Sequence, residues 1–201
     1  FSKIMDYNTS SSTNARGGAM SFELSPEKKE SVYIAGGFAH PELSAGIAHE
    51  MGVQLGVVEQ KVHPNSEIYS RYGESVRGKH VFIIQPHVKT DATSVNDAIM
   101  QQCLLADAAR SSSAAEITAV SPYLAYTRQD RKSRGREPIG TRVLIDQLAI
   151  AGVNRIVAVD MHAAQAQAIF RGPFDHLTAQ PQLRRAMRTE ISQYEIDECL
   201  V

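Results

Sequence analysis

An excess of charge of either sign is missing from this 201-residue chain, in which 21 Lys and Arg stand against 22 Asp and Glu. That balance argues against a protein that grips nucleic acid through bulk electrostatics. Cysteine is scarce as well. Cys103 and Cys199 lie far apart, without metal-ligand spacing, which fits a reducing compartment and a cytoplasmic location. No apolar run approaches the roughly 20 residues that a membrane-crossing helix needs. No internal repeat is visible. Residues 1–30 contain no apolar stretch of the kind a secretory signal requires. Within them Ser10–Gly18 is polar and small, with nothing to bury, and residues 1–30 are expected to be a disordered leader or extension. Met20 is the expected natural start.

What is present is an alternation of strand and helix signals, enough for one sizeable domain. Val32–Ala35, Leu55–Val62, Val81–Gln85, Ile117–Tyr126 and Ile156–Asp160 read as strands, several of them apolar throughout, as strands buried on both faces are. His40–Met51, Val95–Arg110 and Thr141–Ala151 read as helices. In the second, Val95, Ile99, Cys103 and Ala106 recur at helical spacing and mark one buried stripe. Gly152 is placed to end the third. The expected fold is α/β, a mostly parallel sheet flanked by helices, with the functional loops at the carboxyl ends of the strands.

Two such strand ends carry chemistry. After the apolar run that ends at Tyr126 come Arg128-Gln129-Asp130-Arg131-Lys132-Ser133-Arg134-Gly135-Arg136-Glu137-Pro138-Ile139, five cations in nine residues. Arg forks at the exit of a strand suit phosphate oxygens, whereas a charge run elsewhere usually just faces water. About thirty residues later, Asp160 and His162 follow a second apolar strand. Residues two apart in an extended chain face the same side, so a carboxylate and an imidazole there can hold a divalent cation directly or through its water. The competing reading is a capping Asp and a structural His. Together the two segments imply a polyphosphate and its metal.

With these residues the chain resembles the ribose-phosphate pyrophosphokinases. The Arg128–Ile139 loop is similar to that family's ATP-binding loop, and Asp160-Met161-His162-Ala163-Ala164-Gln165-Ala166-Gln167 to its divalent-cation signature. Three further segments agree in order: Gly36–Leu43, the opening Gly-rich turn; Asn65–Glu67 leading to Gly73–Gly78, which reaches a neighbouring subunit's nucleotide; and Asp175–Pro181, the connection toward a second half. The resemblance implies a phosphoribosyltransferase-like domain over residues 31–181, with 182–201 opening a second domain. It also implies a homo-oligomer, hexameric in the family, that uses ATP, Mg²⁺ and ribose 5-phosphate to make phosphoribosyl pyrophosphate and AMP for nucleotide biosynthesis. The ATP contacts it implies are Arg128, Gln129, Asp130, Arg131 and Lys132, with His63, Asn65 and Glu67 acting across a subunit interface. His162 would be the metal ligand, with Asp160 in support.

The chain departs from the pattern in places. His63 stands where the family usually has a Phe that packs on adenine, Ser66 where Gly or Gln is common, and Ala166 and Ala168 thin out a bulkier signature. The second metal aspartate, the flexible catalytic loop and the pentose-phosphate loop of the family would follow Leu200-Val201. The catalytic residues are therefore expected outside this sequence. Two alternatives stay open: a catalytically silent regulatory or scaffolding homologue, and a pyrophosphokinase with a different acceptor. Among the remaining candidates, His40 is placed to cap the helix at Pro41, Glu74 and Arg77 could pair across a turn, and Cys103 reads as core. His49, His80 and His87 have no partner at ligand spacing and read as structural.

Overall fold

A computed structural model describes residues 24–191 of the chain. In chain order the elements are α1 (Pro26–Ser31), β1 (Val32–Gly36), α2 (Pro41–Met51), β2 (Val58–Val62), β3 (Ile68–Tyr72), β4 (His80–Ile84), α3 (Val95–Ser111), β5 (Glu116–Ser121), α4 (Gly140–Ala151), β6 (Arg155–Val159), β7 (Phe174–Leu177) and α5 (Gln180–Ile191). A short 3₁₀ turn, Ala164–Ala168, lies between β6 and β7.

The five-stranded sheet runs β1-β4-β5-β6-β7, every pairing parallel. The interior strand β4, paired with β1 and β5, is apolar on both sides, as a strand covered on both faces must be. Val81 and Ile83 point into a core shared with Ile99, Leu105, Leu144 and Leu148 of α3 and α4. Phe82 and Ile84 point the other way, toward Ala48 and Met51 of α2 and toward Leu24. A separate antiparallel hairpin, β2-β3, packs its Tyr72 into the first core, where the Tyr72 hydroxyl donates to the Leu105 carbonyl (2.9 Å).

Local signals account for the helix ends. The His40 side chain accepts from the Leu43 N–H at 3.2 Å and caps α2, as the sequence predicts. Ser94 and Asp97 close a reciprocal capping box on α3. Gly152 ends α4 at φ 111, a conformation that a side chain would resist.

The structure corrects the strand reading at three points. Leu55 only bridges Ile34, and the strand proper begins at Val58, in the hairpin rather than in the sheet. The run predicted to continue to Tyr126 leaves the sheet at Ser121, because Pro122 supplies no N–H to a ladder. Its apolar residues Leu124 and Ala125 are buried in a turn instead. Strands β3 and β7 are additional to those the sequence predicts. Within residues 1–30, expected to be a leader, Leu24 is buried and Ser25 caps α1. The expectations for Ser10–Gly18, Met20, Cys199 and Leu200-Val201 fall outside the described residues. Glu74 and Arg77 form no ion pair among the described residues, and the Arg77 N–H turns to the Ser75 hydroxyl (3.4 Å). No helix among the described residues is long and apolar enough to cross a membrane.

Candidate functional site

Because the sheet is parallel throughout, the loops after β1, β4, β5, β6 and β7 emerge along one edge, where α/β sheets bind their ligands. Strands β5 and β6 are neighbours, so the loop holding Arg128–Ile139 and the loop holding Asp160–His162 leave the sheet side by side. They are tied together: the Gln165 amide donates to the Asp130 carboxylate.

The basic loop is folded by its own carboxylate. Glu137 accepts the N–H groups of Ser133 (2.7 Å) and Arg134 (2.9 Å), which draws the backbone into a tight turn. The side chains of Arg128, Arg131, Lys132, Arg134 and Arg136 point outward and are exposed. None of the five has an ion pair or side-chain hydrogen bond among the described residues. Five unpaired cations on one turn form a local positive field able to draw an anion. Gln129 is anchored through its backbone, its N–H donating to the Tyr126 carbonyl (2.9 Å) and its carbonyl accepting from Thr141 (3.3 Å).

The second loop departs from the extended geometry predicted for it. Asp160 adopts φ 43, in the left-handed region, so Asp160 and His162 do not form an extended i, i+2 pair. One Asp160 carboxylate oxygen accepts from the Ala179 N–H (3.1 Å), just ahead of α5, while the His176 ring accepts from the Met161 N–H (2.9 Å). Asp160 thus has a structural bond of its own, and His162 is exposed beside it. Among the described residues no group of three or more His, Cys, Asp and Glu gathers to hold a metal. A hard cation such as Mg²⁺ needs no such cage, because it keeps much of its water and is held by one or two carboxylates together with phosphate oxygens. The groups in this loop that could hold such an ion are Asp160, through its other carboxylate oxygen, and the exposed His162.

The third predicted group stands apart. His63, Asn65 and Glu67 form the tip of the β2-β3 hairpin, where the His63 N–H donates to the Glu67 carbonyl (2.8 Å), Asn65 accepts from the Glu67 N–H (3.2 Å), and Ser66 lies at φ 71. The His63 ring packs edge-on to Tyr69 (6.4 Å between centroids). Among the described residues no hydrogen bond or ion pair joins this tip to the Arg128 loop.

Beneath the edge lies a polar network that the sequence reading passed over. Gln85 and Gln101 are fully buried and bonded to one another (2.7 Å). Gln101 also bonds Gln60 of the hairpin and accepts from Phe38 N–H (2.9 Å) in the Gly-rich turn. His87 is likewise fully buried, bonded to Gln102 (2.9 Å) and accepting from the Ala125 N–H (3.3 Å), and burial pushes its pKa down to about 4. Its structural reading holds. Burial also raises the Cys103 thiol to about 11, so it stays protonated, as a core cysteine does. Gln165 belongs to the cation signature, where the sequence assigns it no role. Its bond to Asp130 depends on how two loops meet, which spacing along the chain does not reveal.

Comparison with known proteins points to one family. A family model described as the N-terminal domain of ribose phosphate pyrophosphokinase matches residues 32–152. The ribose-phosphate pyrophosphokinase of Bifidobacterium longum is 45% identical over 161 residues, covering 80% of this chain and 46% of that protein. That of Streptomyces avermitilis is 46% identical over 157 residues, covering 77% and 46%. The crystal structure of phosphoribosylpyrophosphate synthetase from Mycobacterium smegmatis superposes with a TM-score of 0.74 at 38% identity, covering 81% of this chain and 53% of that one. The chain spans about half the length of these relatives. It belongs to the ribose-phosphate pyrophosphokinase family, with residues 32–152 matching the N-terminal domain.

Proposed function

We propose that this chain supplies the nucleotide half of a ribose-phosphate pyrophosphokinase site, which transfers the diphosphate of ATP to ribose 5-phosphate. The observation that carries this reading is the Gln165–Asp130 bond, which joins an exposed, unpaired cluster of cations to the Asp160–His162 loop. Arg128 and Gln129 would hold the nucleotide, Asp130 would orient them through Gln165, and Arg131 and Lys132 would meet phosphate or order the loop. His162 would be the protein ligand of Mg²⁺, with Asp160 in the supporting shell. A bound Mg²⁺ would neutralise charge on the phosphate oxygens, where phosphoryl transfer needs it most. The protein's own part is positioning and electrostatic stabilisation.

We read the hairpin tip, His63–Glu67, as a contact made to the nucleotide of a neighbouring copy in a homo-oligomer. Among the described residues no hydrogen bond or ion pair ties it to its own Arg128 loop, which supports that reading. Calorimetric titration with Mg-ATP tests both assignments. Arg128→Ala and His162→Ala should each weaken binding about tenfold or more, the loss expected of a charge-assisted contact of roughly 1.5–3 kcal/mol. His49→Ala, on the exposed end of α2, should bind as the unsubstituted chain does. Co-assembled Glu67→Ala and Arg128→Ala subunits should recover a fraction of intact sites. Equal affinities throughout would return both strand-end loops to a structural role, and a mixture no better than its components would remove the shared-site reading.

A further inference from the structure

Tyr126, immediately before the Thr127-Arg128 step, lies at φ 59. The left-handed region is unfavourable for a bulky residue with a Cβ and persists only where the surroundings hold it. Here they hold it from two sides. The Thr141 side chain, fully buried in the first turn of α4, donates its hydroxyl to the Tyr126 carbonyl at 2.6 Å. The Tyr126 hydroxyl donates to Asn96 in the first turn of α3 at 2.7 Å. The same Tyr126 carbonyl accepts the Gln129 N–H, and the Thr141 N–H returns to the Gln129 carbonyl. Gly140 completes the arrangement, because a Cβ there would stand 2.4 Å from the Gln129 amide oxygen. The start of the basic loop is thus bound to the amino ends of two helices that the core has already fixed.

We propose that Thr141, acting through the strained Tyr126, is a positioning residue that sets Arg128 and Gln129 in their nucleotide-binding direction before the nucleotide arrives. This rests on the proposed nucleotide site. A strained peptide held by a buried hydroxyl has one direction. The same peptide without that hydroxyl can relax toward an ordinary φ and swing the residues that follow. Ordering the loop is then charged to binding, which lowers affinity without removing any group that touches the ligand. Thr141→Val keeps the shape and removes the donor, and Thr141→Ser keeps the donor.

Two readouts on the 201-residue chain test the proposal. The first needs no ligand: amide hydrogen exchange of Gln129, whose N–H shares the Tyr126 carbonyl, should quicken at least tenfold in Thr141→Val and return toward the unsubstituted rate in Thr141→Ser, while amides of β4 stay protected. The second is Mg-ATP affinity, expected to fall roughly fivefold or more in Thr141→Val and to recover in Thr141→Ser. Unchanged Gln129 exchange in Thr141→Val would overturn the latch itself. Faster exchange with unchanged affinity would leave Thr141 a structural residue and overturn the positioning role. An unsubstituted chain that binds no Mg-ATP would defeat the nucleotide site and the positioning role together, with the exchange data still deciding whether the latch exists.

Discussion

Purified by itself, the 201-residue chain is expected to form no AMP from ATP in response to ribose 5-phosphate, even where it binds Mg-ATP. The transfer needs the anomeric hydroxyl held in line with the β-phosphorus, and such alignment can lower a barrier by up to about 7–11 kcal/mol. The chain spans about half the length of the relatives it matches. The resemblance implies that the acceptor loop, the second metal aspartate and the catalytic loop belong to the part of those relatives that this chain does not span. Nucleotide binding alone holds substrate and transition state equally and does not lower the chemical barrier. Chromatographic detection of AMP with and without ribose 5-phosphate checks this. Acceptor-dependent AMP would mean that the described domain carries a complete site, and the division of labour proposed here would fall.

The second large effect concerns stability and pH. His87 accepts the Ala125 N–H on Nδ1, so its proton sits on Nε2 and is donated to Gln102. A second proton would have to occupy Nδ1, facing that N–H in a fully buried site, and burial accordingly lowers the pKa from 6.5 to about 4. The unfolded chain binds a proton below about pH 6.5 that the folded chain refuses until about pH 4. Stability from this group is therefore complete above pH 6.5 and drains as the pH falls toward 4. A shift of this size corresponds to about 3 kcal/mol. Denaturant unfolding of the wild-type chain and of His87→Gln, measured from pH 7 to pH 4, should show the wild type losing about that much more than the variant. Parallel profiles would contradict the assignment. Because Ala125 adjoins Tyr126, the same protonation should loosen the base of the Arg128 loop.

Much of this architecture can be read from the order of residues because buried parallel strands leave a plain trace. Val81–Ile84 and Ile156–Ala158 are apolar without a break, and they are the strands covered on both faces. Helix ends were legible where one residue carries the geometry, as at His40 and Gly152. The failures share one cause. Hydrophobicity reports burial and not conformation, so Leu124 and Ala125 read as strand although they are buried in a turn. In β3 only Ile68, Ser70 and Tyr72 turn inward, a short alternation broken by a serine, too weak a pattern to mark a strand. At the site, residue types were legible and geometry was not. Asp160 and His162 were identified as a pair, but the left-handed Asp160 backbone and its bond to Ala179 depend on β7 and α5 arriving beside it. The Gln165–Asp130 and Thr141–Tyr126 bonds join positions 35 and 15 residues apart and become visible only when the strands are set in order.

The central claim is that the loops after β5 and β6 form one site for one Mg-nucleotide. A double-mutant cycle on Mg-ATP affinity tests it most directly, with Arg128→Ala, His162→Ala and the double variant titrated under identical conditions. Two groups engaging one ligand through linked loops should be coupled by about 0.5–3 kcal/mol, so the double variant should lose clearly less than the sum of the single losses. Losses that add within about 0.5 kcal/mol would show the two loops acting independently, and the single-site account would be wrong.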